Sequence, residues 1–236
     1  MSHHSLLAGA SAFLFLTGSA LAESPSYTLP PFDGVSVSGG ISAVVEVGGE
    51  QAVVADAPAS AILDRLVVEV RGRQLEIGFE WNALDWLFNF GRNKGVVVHV
   101  TAPALSQASA SAAADMDVKS ISGDVLSFDS SSGASMSIQG AKGVRVSANS
   151  SSGANLTLSG SCDQFVGSTS SGASLSAQSF DCQNVDVDAS SGGYASVSAT
   201  VSIDADASSG GTIDVFGSAP KVQSNTSSGG SVSFAR

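Results

Sequence analysis

One short phrase occurs six times in this chain of 236 residues. It reads Ser-Ser-Gly followed by Ala or Gly, and its first glycine is Gly133, Gly153, Gly172, Gly192, Gly210 and Gly229. A nearly constant period of about 19 residues is typical of one short supersecondary unit stacked on copies of itself. The repeat therefore constrains the fold strongly, whereas it indicates no particular activity.

When the copies are aligned on that glycine, three columns are apolar in nearly every copy. Seven residues before the glycine the column holds Leu126, Val146, Phe165, Val185, Ile203 and Val222. Three residues after it the column holds Met136, Leu156, Leu175, Ala195, Ile213 and Val232. Five residues after it the column holds Ile138, Leu158, Ala177, Val197, Val215 and Phe234. Mostly small polar residues alternate with these positions, which is the pattern of a strand with one buried face.

Each copy is too short to contain a crossover helix, so we expect each strand to pair with its equivalent in the next copy, about 4.8 Å away. The sequence thus predicts an all-β fold, a right-handed parallel β-helix of about 19 residues per coil. The right hand follows from the chirality of parallel strand connections. We expect the repeated glycine to form a corner that requires a positive φ, and the serines before it to satisfy the turn backbone through their hydroxyls.

Residues before the regular repeats also alternate like strands, but their spacing is less regular. The predicted strands are 35–37, 41–47, 52–55, 66–70, 75–79 and 96–100. We interpret residues 23–105 as a β-rich N-terminal cap on the regular coils of residues 106–236, the two parts forming one domain over 23–236. Ser38-Gly39-Gly40 and Ala112-Ala113-Ala114 are interpreted as degraded copies of the repeated turn.

The first 22 residues have the pattern of a secretory signal peptide. An apolar run from Leu6 to Leu16 precedes Ala20-Leu21-Ala22, which fits a cleavage site before Glu23. The run is short for a transmembrane helix. We therefore expect a periplasmic or secreted protein without a transmembrane segment. Its formal charge of −11 disfavours nucleic acid as a partner.

Cys162 and Cys182 are the two cysteines of the chain, and each lies ten residues before the glycine of its own copy. They therefore occupy one column in adjacent coils, where the Cα separation of paired strands is within the range that a disulfide spans. An oxidising compartment favours the bond. We predict a disulfide between adjacent coils; two free buried thiols are the alternative.

A family resemblance follows from the order of several segments. These are Phe32-x-x-Val35-x-Val37, Leu66 to Val70 leading into Leu75-Glu76-Ile77, Val98-x-Val100-x-x-Pro103-x-Leu105, and then the serial Ser-Gly-Ala units. Over roughly residues 32–217 the chain resembles the family "Putative auto-transporter adhesin, head GIN domain". The resemblance implies a secreted or surface β-helical protein of a Gram-negative bacterium. It brings no catalytic residues.

The stretch from Trp81 to Lys94 departs from the strand pattern around it. Its candidate binding residues are Trp81, Trp86, Phe88, Phe90 and Arg92, because aromatic residues and arginine are common at binding hot spots. One interpretation is a contact site for an envelope glycan or protein. The other is a segment that folds back and plugs the end of the β-helix.

Four aspartates also align between two copies. Asp186 and Asp188 lie six and four residues before Gly192, and Asp204 and Asp206 lie at the same places before Gly210. Residues two apart in a strand share a face, so we expect the four carboxylates to cluster on the outside of neighbouring coils. They are a candidate Ca²⁺ site, although a solvated polar column without a metal is the preferred interpretation and we expect no cofactor.

The sequence offers little for catalysis. After cleavage the one remaining histidine is His99, in a predicted strand, and no zinc motif, phosphate loop or catalytic triad order occurs, so no catalytic residue is assigned. We interpret the chain as an adhesin-like binding module of the cell envelope and not as an enzyme. The alternatives are a carbohydrate-active β-helical enzyme and a structural periplasmic protein without a ligand. An exposed last coil near Val232 could also pair edge to edge with another copy.

Overall fold

The structure is a computed structural model that describes residues 25–80 and 95–235. The predicted signal peptide, residues 1–22, lies outside the described residues. Those residues form a short helix, α1 (Ser60–Leu63), and the following strands. They are β1 (Gly34–Ser38), β2 (Ser42–Val47), β3 (Ala52–Asp56), β4 (Leu66–Arg71), β5 (Gln74–Phe79), β6 (Val97–Ala102), β7 (Gln107–Ser111), β8 (Asp115–Lys119), β9 (Ser122–Ser130), β10 (Ser135–Ser150), β11 (Asn155–Thr169), β12 (Ser174–Ala189), β13 (Tyr194–Ala207), β14 (Thr212–Gly217), β15 (Lys221–Thr226) and β16 (Ser231–Phe234).

Apart from β3 and β4, these strands stack in parallel into two ladders of a β-solenoid. The first ladder runs β5, β1, β7 and β9, continues through the second halves of β10 to β13, and ends at β15. The second ladder runs β6, β2 and β8, continues through the first halves of the same long strands, and ends at β14 and β16. Equivalent positions of successive coils therefore lie side by side, as the period predicts.

The aligned apolar columns form the core. Met136 pairs with Leu156, and Leu156 with Leu175, and all three side chains are buried. The prediction of a buried column is wrong for the last copy, where Val222 is 53% exposed and Phe234 is 47% exposed. Their partners Ile203 and Val215 are buried. The difference arises because, among the described residues, no further coil lies above β15 and β16.

The repeated Ser-Gly pair forms the centre of a tight turn between the two ladders. Ser132 and Gly133 have φ of 54° and 72°, and the Ala134 N–H donates to the Ser131 carbonyl at 3.1 Å. Positive φ at both central residues is the signature of a type I′ turn. The predicted glycine corner is confirmed, and the serine beside it also adopts the left-handed conformation in all six copies.

In the first three of the six copies a hydroxyl group satisfies this turn, and it comes from the residue three before the glycine. Ser130, Ser150 and Thr169 are buried, and each donates to the carbonyl of the residue four positions later, at 3.4, 3.2 and 3.1 Å. The two serines next to the glycine were expected to do this. These donors are buried, so water cannot replace the turn carbonyl as their hydrogen-bond partner. The hydrogen bonds therefore link the turn to the buried face of the strand before it.

The strands of residues 23–105 match the predicted ones closely, yet their order in the stack departs from chain order. The coil of β1 and β2 lies between the coil of β5 and β6 on one side and that of β7 and β8 on the other. β3 and β4 pair antiparallel on the outer edges of β6 and β5. That this part caps the regular coils stays a prediction.

The two proposed degraded turns lie in the same stack of turns. Ala112 and Ala113 have φ of 51° and 61°, and Gly39 and Gly40 have φ of 81° and 72°. The Gly40 N–H donates to the Ala112 carbonyl at 3.0 Å, and the Ala113 N–H donates to the Ser132 carbonyl at 3.0 Å. Both therefore lie in the stack of repeated turns and share its left-handed backbone without its full Ser-Ser-Gly sequence.

Cys162 and Cys182 form the predicted disulfide. Their Cα atoms are 4.5 Å apart in paired positions of β11 and β12, and both residues are buried. The bond ties two adjacent coils beside an edge-to-face contact of Phe165 with Phe180, whose ring centroids are 5.5 Å apart. In the described parts of the chain, no helix is long and apolar enough to cross a membrane.

Candidate functional site

A shallow groove of about 750 Å³ lies where the same strand segment recurs in four consecutive coils. Its lining is Gln164, Phe165, Val166, Asn184, Val185, Asp186, Ser202, Ile203, Asp204, Pro220, Lys221, Val222 and Gln223. Because these segments are paired in register, the groove is built from rows of equivalent residues. A repeated lining of this kind offers similar contacts at successive strand spacings.

The first row carries neutral polar groups and one ammonium group. It consists of Gln164, Asn184, Ser202 and Lys221, which are paired from coil to coil. The Ser202 hydroxyl donates to Asn184 Oδ1 at 2.8 Å, and the Asn184 amide donates to the Asp163 carbonyl at 3.3 Å. The Asn184 side chain is thereby held in one orientation on the exposed surface. The row presents both donors and acceptors to a ligand.

The second row lies two residues further along each strand. It consists of Val166, Asp186, Asp204 and Gln223, so its two central members are carboxylates on neighbouring strands. Two residues further along the same strands, Asp188 pairs with Asp206. The four aspartates are therefore grouped on one outer face, as the alignment predicts.

This grouping disfavours the charged form of two of the carboxyls. The pKa of Asp204 is raised above its ordinary value of 3.8 by burial, and further by the charges of Asp206 and Asp186. The pKa of Asp188 is raised by burial and then by the charges of Asp186, Asp206 and Asp204. In addition, Asp204 Oδ1 is shielded from solvent and has no hydrogen-bond partner. The face thus carries more negative charge than its own hydrogen bonds compensate.

Replacing Asp204 with asparagine is expected to stabilise the protein at neutral pH. The charged form is destabilising above the raised pKa in the folded state, and this destabilisation is lost as the pH falls towards 3.8, the ordinary value that we take for the unfolded chain. We expect a gain of about 0.2–1 kcal/mol in the free energy of unfolding at pH 7, the range for like-charged neighbours on strands. Urea denaturation should show the gain shrinking towards zero near pH 3.5.

The matched control is Asp124→Asn, which removes one charge at an exposed position of β9 outside the four-aspartate group. It should change the free energy of unfolding less at pH 7 than Asp204→Asn does. An Asp204→Asn variant no more stable than the original protein at pH 7, or equally favoured at both pH values, would contradict the repulsion argument.

The geometry gives no support to a metal centre at this face. Among residues 25–80 and 95–235, no group of three or more His, Cys, Asp or Glu side chains is arranged so that it could hold a metal ion. A Ca²⁺ site at Asp186, Asp188, Asp204 and Asp206 stays a prediction, and a melting temperature that Ca²⁺ leaves unchanged would remove it.

Sequence analysis also singled out an aromatic stretch as candidate binding residues and one histidine without an assigned role. Trp81, Trp86, Phe88, Phe90 and Arg92 lie outside the described residues, so their role stays a prediction. His99 lies on β6 at the other end of the stack, 55% exposed and 3.8 Å from Asp56 between Nε2 and Oδ2. The structure therefore does not bring this histidine into the groove.

Sequence reasoning named the carboxylates of the groove but not the row beside them. Gln164, Asn184, Ser202 and Lys221 each lie eight residues before the glycine of their copy, so the alignment already contained this column. Its side chains share polarity but no residue type. Only the paired strands show that they form one continuous lining with the aspartates.

A sequence comparison identifies a matching family. The family model described as "Putative auto-transporter adhesin, head GIN domain" matches residues 31–219. The match contains every regular coil except the last and also the N-terminal strands. No curated protein matches the sequence.

Solved structures similar to this chain share its fold at low identity. A "putative adhesin" from Bacteroides fragilis is 17% identical with a TM-score of 0.81, covering 92% of this chain and 98% of that one. A "putative lipid binding protein" from Parabacteroides distasonis is 16% identical with a TM-score of 0.69, covering 91% and 96%. A "putative adhesin" from Parabacteroides merdae is 17% identical with a TM-score of 0.65, covering 93% and 98%. These likenesses show the β-solenoid over nearly the whole of each chain.

Proposed function

The chain belongs to the family "Putative auto-transporter adhesin, head GIN domain", and on that premise we propose that it is an adhesin-like binding module of the cell envelope that recognises a glycan. The observation that carries the proposal is the groove, whose two rows present seven polar side chains and Val166 over four coils. Carboxylates, amides, a hydroxyl and an ammonium group are the side chains that hydrogen-bond to sugar hydroxyls. An enzyme is not proposed, because the family and the similar structures reported above are described as adhesins or as a lipid-binding protein.

Export supports this role. A disulfide joins Cys162 and Cys182, and disulfides persist in oxidising compartments such as the periplasm and the cell exterior. Residues 1–22 carry the pattern of a secretory signal. We therefore propose a periplasmic or secreted location in a Gram-negative bacterium.

The repeated lining favours an extended glycan over a small molecule. The two rows follow the direction of stacking, and each step along them crosses one strand. A shallow open groove encloses little of a compact ligand, whereas a chain lying along it meets a polar side chain of the first row at each step. The acidic row selects neutral or cationic sugars, since an acidic polymer would meet like charges at Asp186 and Asp204.

A glycan array with the purified protein tests the proposal. We expect retention of a neutral or amino-sugar polymer without release of product. The double variant Asn184→Ala with Asp186→Ala should weaken this binding at least tenfold, since it removes two neighbouring polar groups of the groove. Both residues are exposed, so the variant should keep the original melting temperature to within a few degrees.

The control is Asn155→Ala with Thr157→Ala, two exposed residues of β11 on the other ladder. It should bind as the original protein does. If the protein binds no glycan of the array, the glycan proposal is wrong. If it releases a product from a glycan, the alternative of a carbohydrate-active enzyme is favoured. Binding that only Trp86→Ser abolishes would assign recognition to the stretch from Trp81 to Lys94.

A further inference from the structure

The end of the solenoid at the last coil is built like an interior coil. It repeats the Ser-Ser-Gly-Gly turn at Gly229, and its residues Val222, Val232 and Phe234 occupy the three core columns. In earlier coils these columns are buried by the next coil, whereas Val222 and Phe234 are about half exposed. The end surface therefore consists of core side chains with no cover among the described residues.

Two strand edges frame this surface. β15 pairs with β13 and β16 pairs with β14, and among the described residues neither has a partner on its outer side. Native proteins usually protect such edges with charged residues, proline or a covering segment. Here β15 and β16 together carry one charged residue, Lys221, at the start of β15.

The charge distribution indicates what can approach this end. The whole chain carries a formal charge of −11, which opposes association of two copies in most orientations. Residues 207–236 hold one acidic residue, Asp214, and two basic residues, Lys221 and Arg236, so this end is close to neutral. At the opposite end, residues 25–80 hold eight acidic and three basic residues. The last coil is thus the end at which net charge opposes the approach of two copies least.

The opposite end also differs in its strands. Its outermost strands β3 and β4 run antiparallel to their neighbours, and exposed Arg71 pairs with Glu69 and with Glu76 at that edge. A head-to-tail contact would place the nearly neutral last coil against this charged edge. A contact between two identical last coils instead joins apolar columns to apolar columns.

We propose that the last coil is a homodimer interface. β15 of one copy adds antiparallel to β15 of a second copy about a twofold axis, which satisfies the unpaired backbone groups of both edges. Val222, Val232 and Phe234 of the two copies then cover one another and close the two cores. The contact is isologous, so association stops at two copies.

Sedimentation of the purified protein over a wide concentration range tests this interface. We expect a species with twice the mass of one chain at high concentration. Val222→Glu should abolish it, because it places two like charges inside the contact. The control is Val125→Glu, since Val125 is 55% exposed on the flank of the solenoid and Val222 is 53% exposed. The control variant should remain dimeric.

A cysteine variant locates the contact independently. Both native cysteines are in a disulfide, so Ser224→Cys introduces the one free thiol, in the middle of β15. Mild oxidation should join its two copies covalently, whereas Ser179→Cys, at an exposed position of β12, should stay monomeric under denaturing conditions.

Three results would overturn the proposal. One is a monomer at every concentration, which leaves the last coil to another partner. Another is a dimer that survives Val222→Glu, which places the contact elsewhere. The third is open-ended growth beyond two copies, which indicates head-to-tail stacking. β15 contributes Lys221, Val222 and Gln223 to the groove as well. These three outcomes are read from mass and cross-linking and not from glycan binding, so the failure of one proposal can be told from the failure of the other.

Discussion

Replacing Phe165 with alanine is expected to lower the free energy of unfolding by about 3–5 kcal/mol, the range for large aromatic residues in cores. Phe165 is 2% exposed and pairs with Val146 in the preceding coil and Val185 in the following one. Its ring also meets the edge of Phe180. Each neighbour is fixed by the strand pairing of its own coil, so the surroundings cannot close the cavity. Urea denaturation followed by circular dichroism measures the loss.

The adjacent residue of the same strand gives a matched control. Val166 faces outward and is 48% exposed, so Val166→Ala should change the free energy of unfolding by no more than about 0.5 kcal/mol. Comparable losses in the two variants would mean that the two faces of β11 are not differently buried. The interpretation that residues at one offset from the turn glycine form a buried column would then be wrong for Phe165.

Breaking the bond between Cys162 and Cys182 is expected to cost about 3 kcal/mol, because the unfolded chain regains the freedom of a closed loop of this length. The cysteines are 20 residues apart. The double variant Cys162→Ala with Cys182→Ala should unfold at a correspondingly lower urea concentration. The reduced original protein should behave in the same way.

A reducing agent supplies the control for this pair. It should lower the stability of the original protein and leave that of the double alanine variant unchanged. If reduction has no effect on the original protein, the disulfide adds nothing to stability, and the strand pairs between β11 and β12 hold the coils without it.

The regular coils could be predicted from the sequence because one alignment carries several independent signals. The column of Leu156, Leu175 and Ile213 is apolar at a fixed offset from the turn glycine, and the structure buries it. The equal offset of Cys162 and Cys182 from their turn glycines predicted the disulfide in the same way. In both cases a stacked fold converts sequence spacing directly into distance, so no long-range contact had to be guessed.

The first coils could not be predicted in the same way. Val35 pairs with Leu75 on one side and with Ala108 on the other, and no period links these positions. Local alternation identifies each strand, but it contains no information about which distant strand is its neighbour. The exposure of Val222 was missed for a related reason, since its column is apolar whether or not another coil follows.

The groove was predicted in part. Asp186 and Asp204 stand out because two acids at one offset are unusual in this chain, whereas Asn184 and Ser202 are as common as the polar residues of every other strand. What distinguishes them is the hydrogen bond between their side chains and their place beside the acidic row. A single sequence does not show which of many polar columns meets a ligand.

The displaced order of the first strands determines which coils can be completed first. β1 and β2 come first in the chain, but their neighbours β5 and β6 on one side and β7 and β8 on the other follow later. The coil of β1 and β2 therefore has all of its partner strands only when the chain extends to Lys119, the end of β8. Each coil of the regular part follows directly in the chain after a coil that it pairs with. A chain that ends before Lys119 lacks partner strands for the coil of β1 and β2. A chain that ends later retains this coil with its partners and lacks only coils at the other end of the stack.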